Sequence, residues 1–169
     1  MHQSIIFWSD RQANPSGADL FGSWGLVTDS GVRKPAWWSF WLFGRMSREL
    51  VATDTPDRMP ATAGVWALAG RGLGRDGQPS RITVLISSWM ADGGHDRDLR
   101  LTVDGLPSGR SDWEAAVYRL DGGHPAAGSP VSTASFTGTS RFILPAQSVV
   151  LVELTRTEEA SPGVGGRRF

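Results

Sequence analysis

Apolar and polar positions along the chain follow two different periods, and the change falls near residue 50. The opening run, Ser4-Ile5-Ile6-Phe7-Trp8, is short, continuous and apolar, and it ends at Ser9-Asp10. Such a run suits a strand buried on both faces, as in a parallel sheet. It comes with no earlier element to pair with, which is unusual for a complete domain. Residues 11–22 are loop-like, with a turn signal at Asn14-Pro15-Ser16-Gly17. A short strand is expected over 23–28, followed by a turn at Asp29-Ser30-Gly31. Pro35 then opens a helix, in keeping with the preference of proline for the first helical position. Trp37, Trp38, Phe40, Trp41, Leu42, Phe43 and Met46, with Leu50 one turn on, cover more than half of the helical wheel. A helix that apolar is deeply buried or faces a partner.

From about residue 62 the period becomes that of strands. Strands are expected over 63–69 and 81–88, joined by a glycine-rich turn over 70–79. Over 98–104 the chain alternates, with Leu99, Leu101 and Val103 on one face. Over 113–120 it alternates again, with Trp113, Ala115 and Val117 together. Segments 132–136, 141–144 and 148–154 complete the series. Short strands at roughly 10–20 residue intervals with turn signals between them point to an antiparallel β-sandwich. The polar tail from residue 155 is expected to be disordered. The predicted organisation is thus 1–50, 51–155 as the sandwich, and a tail over 156–169.

Composition sharpens this picture in two places. Gly and Pro together make 31 of 169 residues, which favours a turn-rich β protein. Five of the eight Trp precede residue 42, so the aromatic load lies in the first third. Each buried Trp removes roughly 150–250 Å² from water, on the order of 4–6 kcal/mol at about 25 cal/mol/Å². Four or five such rings left in water would form an apolar patch larger than monomers usually carry. Self-association, or dependence on a separate chain that covers them, is therefore expected.

Charge and residue inventory exclude several kinds of chemistry. The formal net charge is zero and no basic run is interleaved with aromatics, so no nucleic-acid partner is expected. No run of 18 apolar residues occurs, and no membrane partner is expected. Met1-His2-Gln3-Ser4 shows no signal-peptide pattern, and the compartment is left open. Cysteine is absent, which excludes disulfides and thiolate chemistry. His2, His95 and His124 share no metal-ligand spacing, no G-x-S-x-G elbow occurs, and the glycines at 70, 72 and 74 read as a turn rather than a phosphate loop. No cofactor and no metal are expected.

Two blocks of sequence carry a family resemblance. The first is Phe7-Trp8-Ser9-Asp10, then Phe21-Gly22-Ser23-Trp24-Gly25-Leu26-Val27-Thr28, then Gly31-Val32-Arg33-Lys34-Pro35 and the aromatic helix over 36–46. The second is Leu101-Thr102-Val103-Asp104-Gly105-Leu106-Pro107, Val117-Tyr118-Arg119-Leu120-Asp121 with His124, and Phe142-Ile143-Leu144-Pro145 with the closing run over 148–154. In this order they resemble the C-terminal portion of glycoside hydrolase family 39, which includes β-xylosidases and α-L-iduronidases. The resemblance covers roughly residues 4–155. It implies a mainly β chain, an antiparallel β-sandwich preceded by the last strand and helix of a (β/α)8 barrel.

The same resemblance implies a retaining glycosidase whose two catalytic Glu stand at the ends of the fourth and seventh barrel strands. Neither position exists in this chain, so no catalytic residue is expected and the chain alone is expected to be inactive. A retaining pair also requires two carboxyl groups about 5–5.5 Å apart. None of the five Glu (49, 114, 153, 158 and 159) falls at a predicted barrel mouth. Asp10 matches the family's first acidic position beyond the eighth strand. Arg11, Gln12 and Ala13 depart from it where further acidic residues are usual, which weighs against sugar contact by this loop. The candidate substrate-binding residues are Asp10, Trp8 and Trp24; turn capping for Asp10 and core packing for the two Trp are the competing readings. The implied partner is a carbohydrate of xyloside or uronide type once a barrel is supplied. The alternative is a free-standing carbohydrate-binding or interaction sandwich, with Trp66, Trp89 and Trp113 as candidate sugar platforms against core packing.

Overall fold

The computed structural model describes residues 26–28, 31–55, 63–90, 94–106 and 113–157. They form one helix, α1 (Pro35–Gly44), and eight strands: β1 (Glu49–Val51), β2 (Ala63–Leu73), β3 (Pro79–Met90), β4 (Arg97–Thr102), β5 (Trp113–Leu120), β6 (Ser132–Phe136), β7 (Thr139–Leu144) and β8 (Ser148–Arg156). Six strands make one sheet in the order β1-β2-β3-β8-β5-β6, and β4 pairs with β7 in a second. Every pairing is antiparallel. The chain is mainly β with a short helix ahead of the strands, as the sequence pattern predicts.

The six-stranded sheet is covered on both faces. On one face Val84 and Ile86 of β3, Ala115 of β5 and Val150, Val152 and Leu154 of β8 meet Leu99, Leu101, Phe142 and Leu144 of the small sheet. On the other, Leu85, Tyr118, Leu120 and Leu151 meet Trp38, Trp41, Leu42 and Met46 of the helix region, with Ala127 of the β5–β6 loop beneath them. Successive strand residues point to opposite faces. A strand buried on both sides must therefore be apolar without interruption, which is the pattern of Val149 to Val152. Trp113 joins Ala115 in the sandwich core, as its alternation predicts.

Pro35 stands in the first turn of α1 as expected, with Lys34 as the preceding cap residue. The helix stops at Gly44, short of the expected end at residue 46. Leu50, placed by periodicity on the helix face, instead lies in β1 opposite Gly70 and is 61% exposed. Glu49 is in the same strand opposite Arg71. Ahead of the helix, Val27 and Arg33 form an antiparallel bridge, and Gly31 has φ +84°. The expected glycine-rich turn is shorter than 70–79: Gly70 to Leu73 belong to β2, and only 74–78 turn, held by the Gly74 N–H to the Gln78 carbonyl at 2.8 Å.

Candidate functional site

The sequence-derived sugar-contact candidates, Asp10, Trp8 and Trp24, lie outside the described residues, as do the opening strand and the tail beyond residue 157. Of the three sandwich tryptophans, Trp113 is 3% exposed and belongs to the core. Trp66 and Trp89 share the helix-side face of the large sheet. Trp66 pairs with Ser87 and Gly64 with Trp89, so the two indoles are diagonal neighbours, and Trp89 is 45% exposed.

The most extensive polar cluster among the described residues sits where the end of α1 meets the sheet. Glu153 of β8 accepts hydrogen bonds from Arg45 Nη2 at 2.5 Å and from Arg81 Nε at 2.7 Å. Arg81 Nη2 also donates to the Arg45 carbonyl at 2.7 Å, and Arg45 Nη2 donates to the Tyr118 hydroxyl at 3.2 Å. The Arg45 guanidinium lies 4.9 Å from the Trp41 ring centre and 4.7 Å from that of Tyr118. Trp37, Trp38, Trp41 and Tyr118 run edge-to-face from the helix down to the sheet, with ring centres 4.8, 5.5 and 5.9 Å apart. Burial by itself would raise the pKa of Glu153, but the hydrogen bonds and charges of Arg81 and Arg45 outweigh it and hold the carboxyl below its ordinary value.

A second cluster closes the loop after β5. Asp121 accepts the backbone N–H groups of Gly123 and His124, each at 2.8 Å, and its Oδ1 lies 3.0 Å from His124 Nδ1. Arg119 Nε lies 2.8 Å from Asp121 Oδ2 as an ion pair. Burial raises the Asp121 pKa, yet the hydrogen bonds from His124 and Gly123 and the charge of Arg119 bring it below the usual range. Hydrogen bonding from Arg71 lowers Glu49, and hydrogen bonding from Arg156 lowers Asp76.

These directions bear on chemistry. The general acid of a retaining glycosidase must hold its proton near neutral pH, which needs a raised carboxyl pKa. Each described carboxyl with a resolved shift moves the other way, because each is engaged by arginine or by backbone N–H groups. No catalytic carboxyl pair is identifiable among the described residues. Among them, no group of three or more His, Cys, Asp or Glu could hold a metal ion, and no helix is long and apolar enough to cross a membrane. The clusters fasten α1 and the 121–131 loop to the sheet, a role that spacing in the sequence did not reveal; Asp121 and His124 were visible there only as part of a family-like stretch.

No protein-family model matches the sequence, and no curated protein matches it. Solved structures do. A monomeric β-xylosidase from Caulobacter crescentus CB15 superposes with TM-score 0.60 at 16% identity, over 88% of this chain and 36% of that one. A glucosidase from Croceicoccus marinus gives 0.59 at 23% identity, over 79% and 34%. A GH30 endoxylanase from Clostridium papyrosolvens C71 gives 0.56 at 18%, over 78% and 30%. The chain therefore spans about a third of the length of these structures. The matches include more than one hydrolase family, GH30 and GH51 among them, so the fold does not single out family 39. The chain shares its fold with the C-terminal β-sandwich region of glycoside hydrolases.

Proposed function

We propose that this chain is the C-terminal, sandwich-bearing portion of a retaining glycoside hydrolase of the family 39 β-xylosidase type. Residues 1–48 would belong to its barrel and 49–156, which hold β1 to β8, to the sandwich, with a tail from 157. The sandwich buttresses a barrel that carries the catalytic Glu pair, and the chain by itself performs no hydrolysis. The observation that carries this reading is the superposition on the Caulobacter β-xylosidase over 88% of this chain but 36% of the enzyme. A second observation supports it: Phe40 and Phe43, on the side of α1 turned from the sheet, are 63% and 57% exposed. Exposed rings next to one another are costly in water and suit contact with a further domain. Substrate contact by Asp10, Trp8 and Trp24, and a sugar of xyloside or uronide type, belong to the same proposal.

The test is to sequence the DNA upstream of Met1 and to assay the chain on an aryl β-xyloside and an iduronide. An upstream open frame encoding seven βα units, with no turnover by the chain alone, is the expected result. Turnover by the chain, or an upstream frame that encodes no such units, would overturn the proposal.

A further inference from the structure

Aspartate is followed by glycine at four places in the chain: Asp76-Gly77, Asp92-Gly93, Asp104-Gly105 and Asp121-Gly122. The second pair lies outside the described residues. In such a pair the glycine backbone nitrogen can reach the aspartate side chain, because glycine has no Cβ to crowd the approach and a wide range of backbone angles. Attack on Cγ forms an N–C bond. The nitrogen gives up its proton and the protonated carboxyl its hydroxyl, together one water. Water then opens the succinimide ring. Where it breaks the bond to the main-chain carbonyl of the aspartate, the chain runs on through the side chain as isoaspartate, with its composition unchanged.

The fold treats the three described pairs differently. Asp76 accepts hydrogen bonds from the Arg156 guanidinium at 2.6 Å and from the Gln78 N–H at 3.0 Å. The Gly77 N–H is itself bonded to the Gly74 carbonyl at 3.1 Å. Asp121 accepts the N–H groups of Gly123 and His124, pairs with Arg119, and has a side chain only 9% exposed. Hydrogen bonding from Arg156 lowers the pKa of Asp76. Burial raises that of Asp121, but the hydrogen bonds from His124 and Gly123 and the charge of Arg119 bring it below the ordinary value. Both side chains are thus fixed in place and kept as carboxylate, which has no hydroxyl to lose. Asp104 lacks these restraints. It is exposed in the turn after β4, and among the described residues nothing bonds to its carboxyl or to the Gly105 N–H. Gly105 has φ +73°, and a Cβ built there would meet nothing within 4 Å, so the turn has room to reshape.

We propose that Asp104 is a site of self-modification, where the folded chain converts to isoaspartate while Asp76 and Asp121 are protected by their partners. The position gives the change something to act on. The neighbouring Val103 N–H donates to the Gly138 carbonyl at 2.9 Å, and the Val103 side chain packs against the sandwich core. One more backbone carbon beside that bond loosens the end of the β4–β7 pairing. It also frees an α-carboxylate, the group that isoaspartyl methyltransferases esterify with S-adenosylmethionine.

Incubating the 169-residue chain in warm, mildly acidic buffer and mapping its peptides tests this. Isoaspartate is located by electron-transfer fragmentation and counted by methyl transfer from S-adenosylmethionine with an isoaspartyl methyltransferase. It should accumulate at Asp104 several-fold faster than at Asp76 or Asp121. The difference should collapse in urea, where the partners are lost. Arg156→Gln, which takes the ion pair from Asp76, should raise the rate there and leave the rate at Asp104 unchanged. Asp104→Glu should remove the fast site, because the longer side chain closes the ring poorly. Equal rates in the folded chain, or a faster rate at Asp76 or Asp121, would overturn the proposal. So would a lead of Asp104 that persists unchanged in urea, since sequence neighbours and not the fold would then set it.

Discussion

The backbone N–H of Ser47 donates a 2.8 Å hydrogen bond to Oγ1 of Thr83, a side chain with no solvent exposure. The Thr83 hydroxyl in turn donates to the Gly70 carbonyl at 3.4 Å. One buried hydroxyl thus joins the segment after α1 to two strands of the large sheet. Replacing Thr83 by Val keeps the shape but leaves the Ser47 N–H buried without a partner, at about 1–3 kcal/mol. Urea unfolding should show a lower midpoint with an unchanged slope, and Thr83→Ser should recover most of the loss. A Val variant as stable as the parent would show that the bond contributes little.

Gly70 carries the same connection from the other side. A Cβ built there would collide with the Ser47 carbonyl oxygen, a backbone atom that cannot turn aside, whereas a Cβ on Gly72 has its nearest neighbour at 3.7 Å. Gly70→Ala should therefore destabilise by about 1–3 kcal/mol through overpacking, while Gly72→Ala should be neutral or slightly favourable. Thermal unfolding of the two variants side by side separates them. Equal midpoints would mean that the close passage of Ser47 over β2 is not maintained in solution.

The acidic limit of stability should report Glu153. Its folded pKa lies below the ordinary glutamate value of 4.5, so its ion pairs contribute stability above that pH. The contribution is lost as pH falls through the lower folded value and the carboxyl takes up a proton. Glu153→Gln resembles the protonated side chain, so it should destabilise at pH 7, and the gap from the parent should narrow as pH falls below 4.5. Denaturant midpoints of both proteins across that range provide the check. A gap that stays constant with pH would assign the effect to packing instead of charge.

Most of the sandwich was legible because its strands alternate where one face is wet and run apolar where both are covered. The bounds of β5 and β6 coincide with the predicted segments, and β8 runs two residues further, through Thr155 and Arg156. β1 was not legible. Glu49-Leu50-Val51 has no alternation of its own, and it becomes a strand only because Arg71, Gly70 and Ala69 lie opposite it across the sheet. Periodicity also extended the helix past Gly44, since Met46 and Leu50 continue its apolar spacing. Arg45 and Ser47 instead turn into contact with Glu153 and Thr83, contacts between residues more than 30 positions apart that no local window contains. The candidate sugar contacts rest on Asp10, Trp8 and Trp24, which the described residues do not include.

The all-round apolar character of α1 divides into two roles that mutation should separate. Leu42 is fully buried against the sheet, whereas Phe40 and Phe43 face outward. Leu42→Ala should cost about 2–5 kcal/mol, as for other buried leucines. Phe40→Ser with Phe43→Ser removes little packing, since both rings are mostly exposed, and should change stability by about 0.5 kcal/mol or less, as surface changes usually do. If these rings meet a barrel in the parent enzyme, they are also the surface through which the isolated chain self-associates. The double variant should then run as a smaller species on size-exclusion chromatography and bind less of a hydrophobic dye. A double variant that loses stability as Leu42→Ala does would place both rings in the fold's own core. One that keeps the parent's elution and dye binding would locate the associating surface elsewhere.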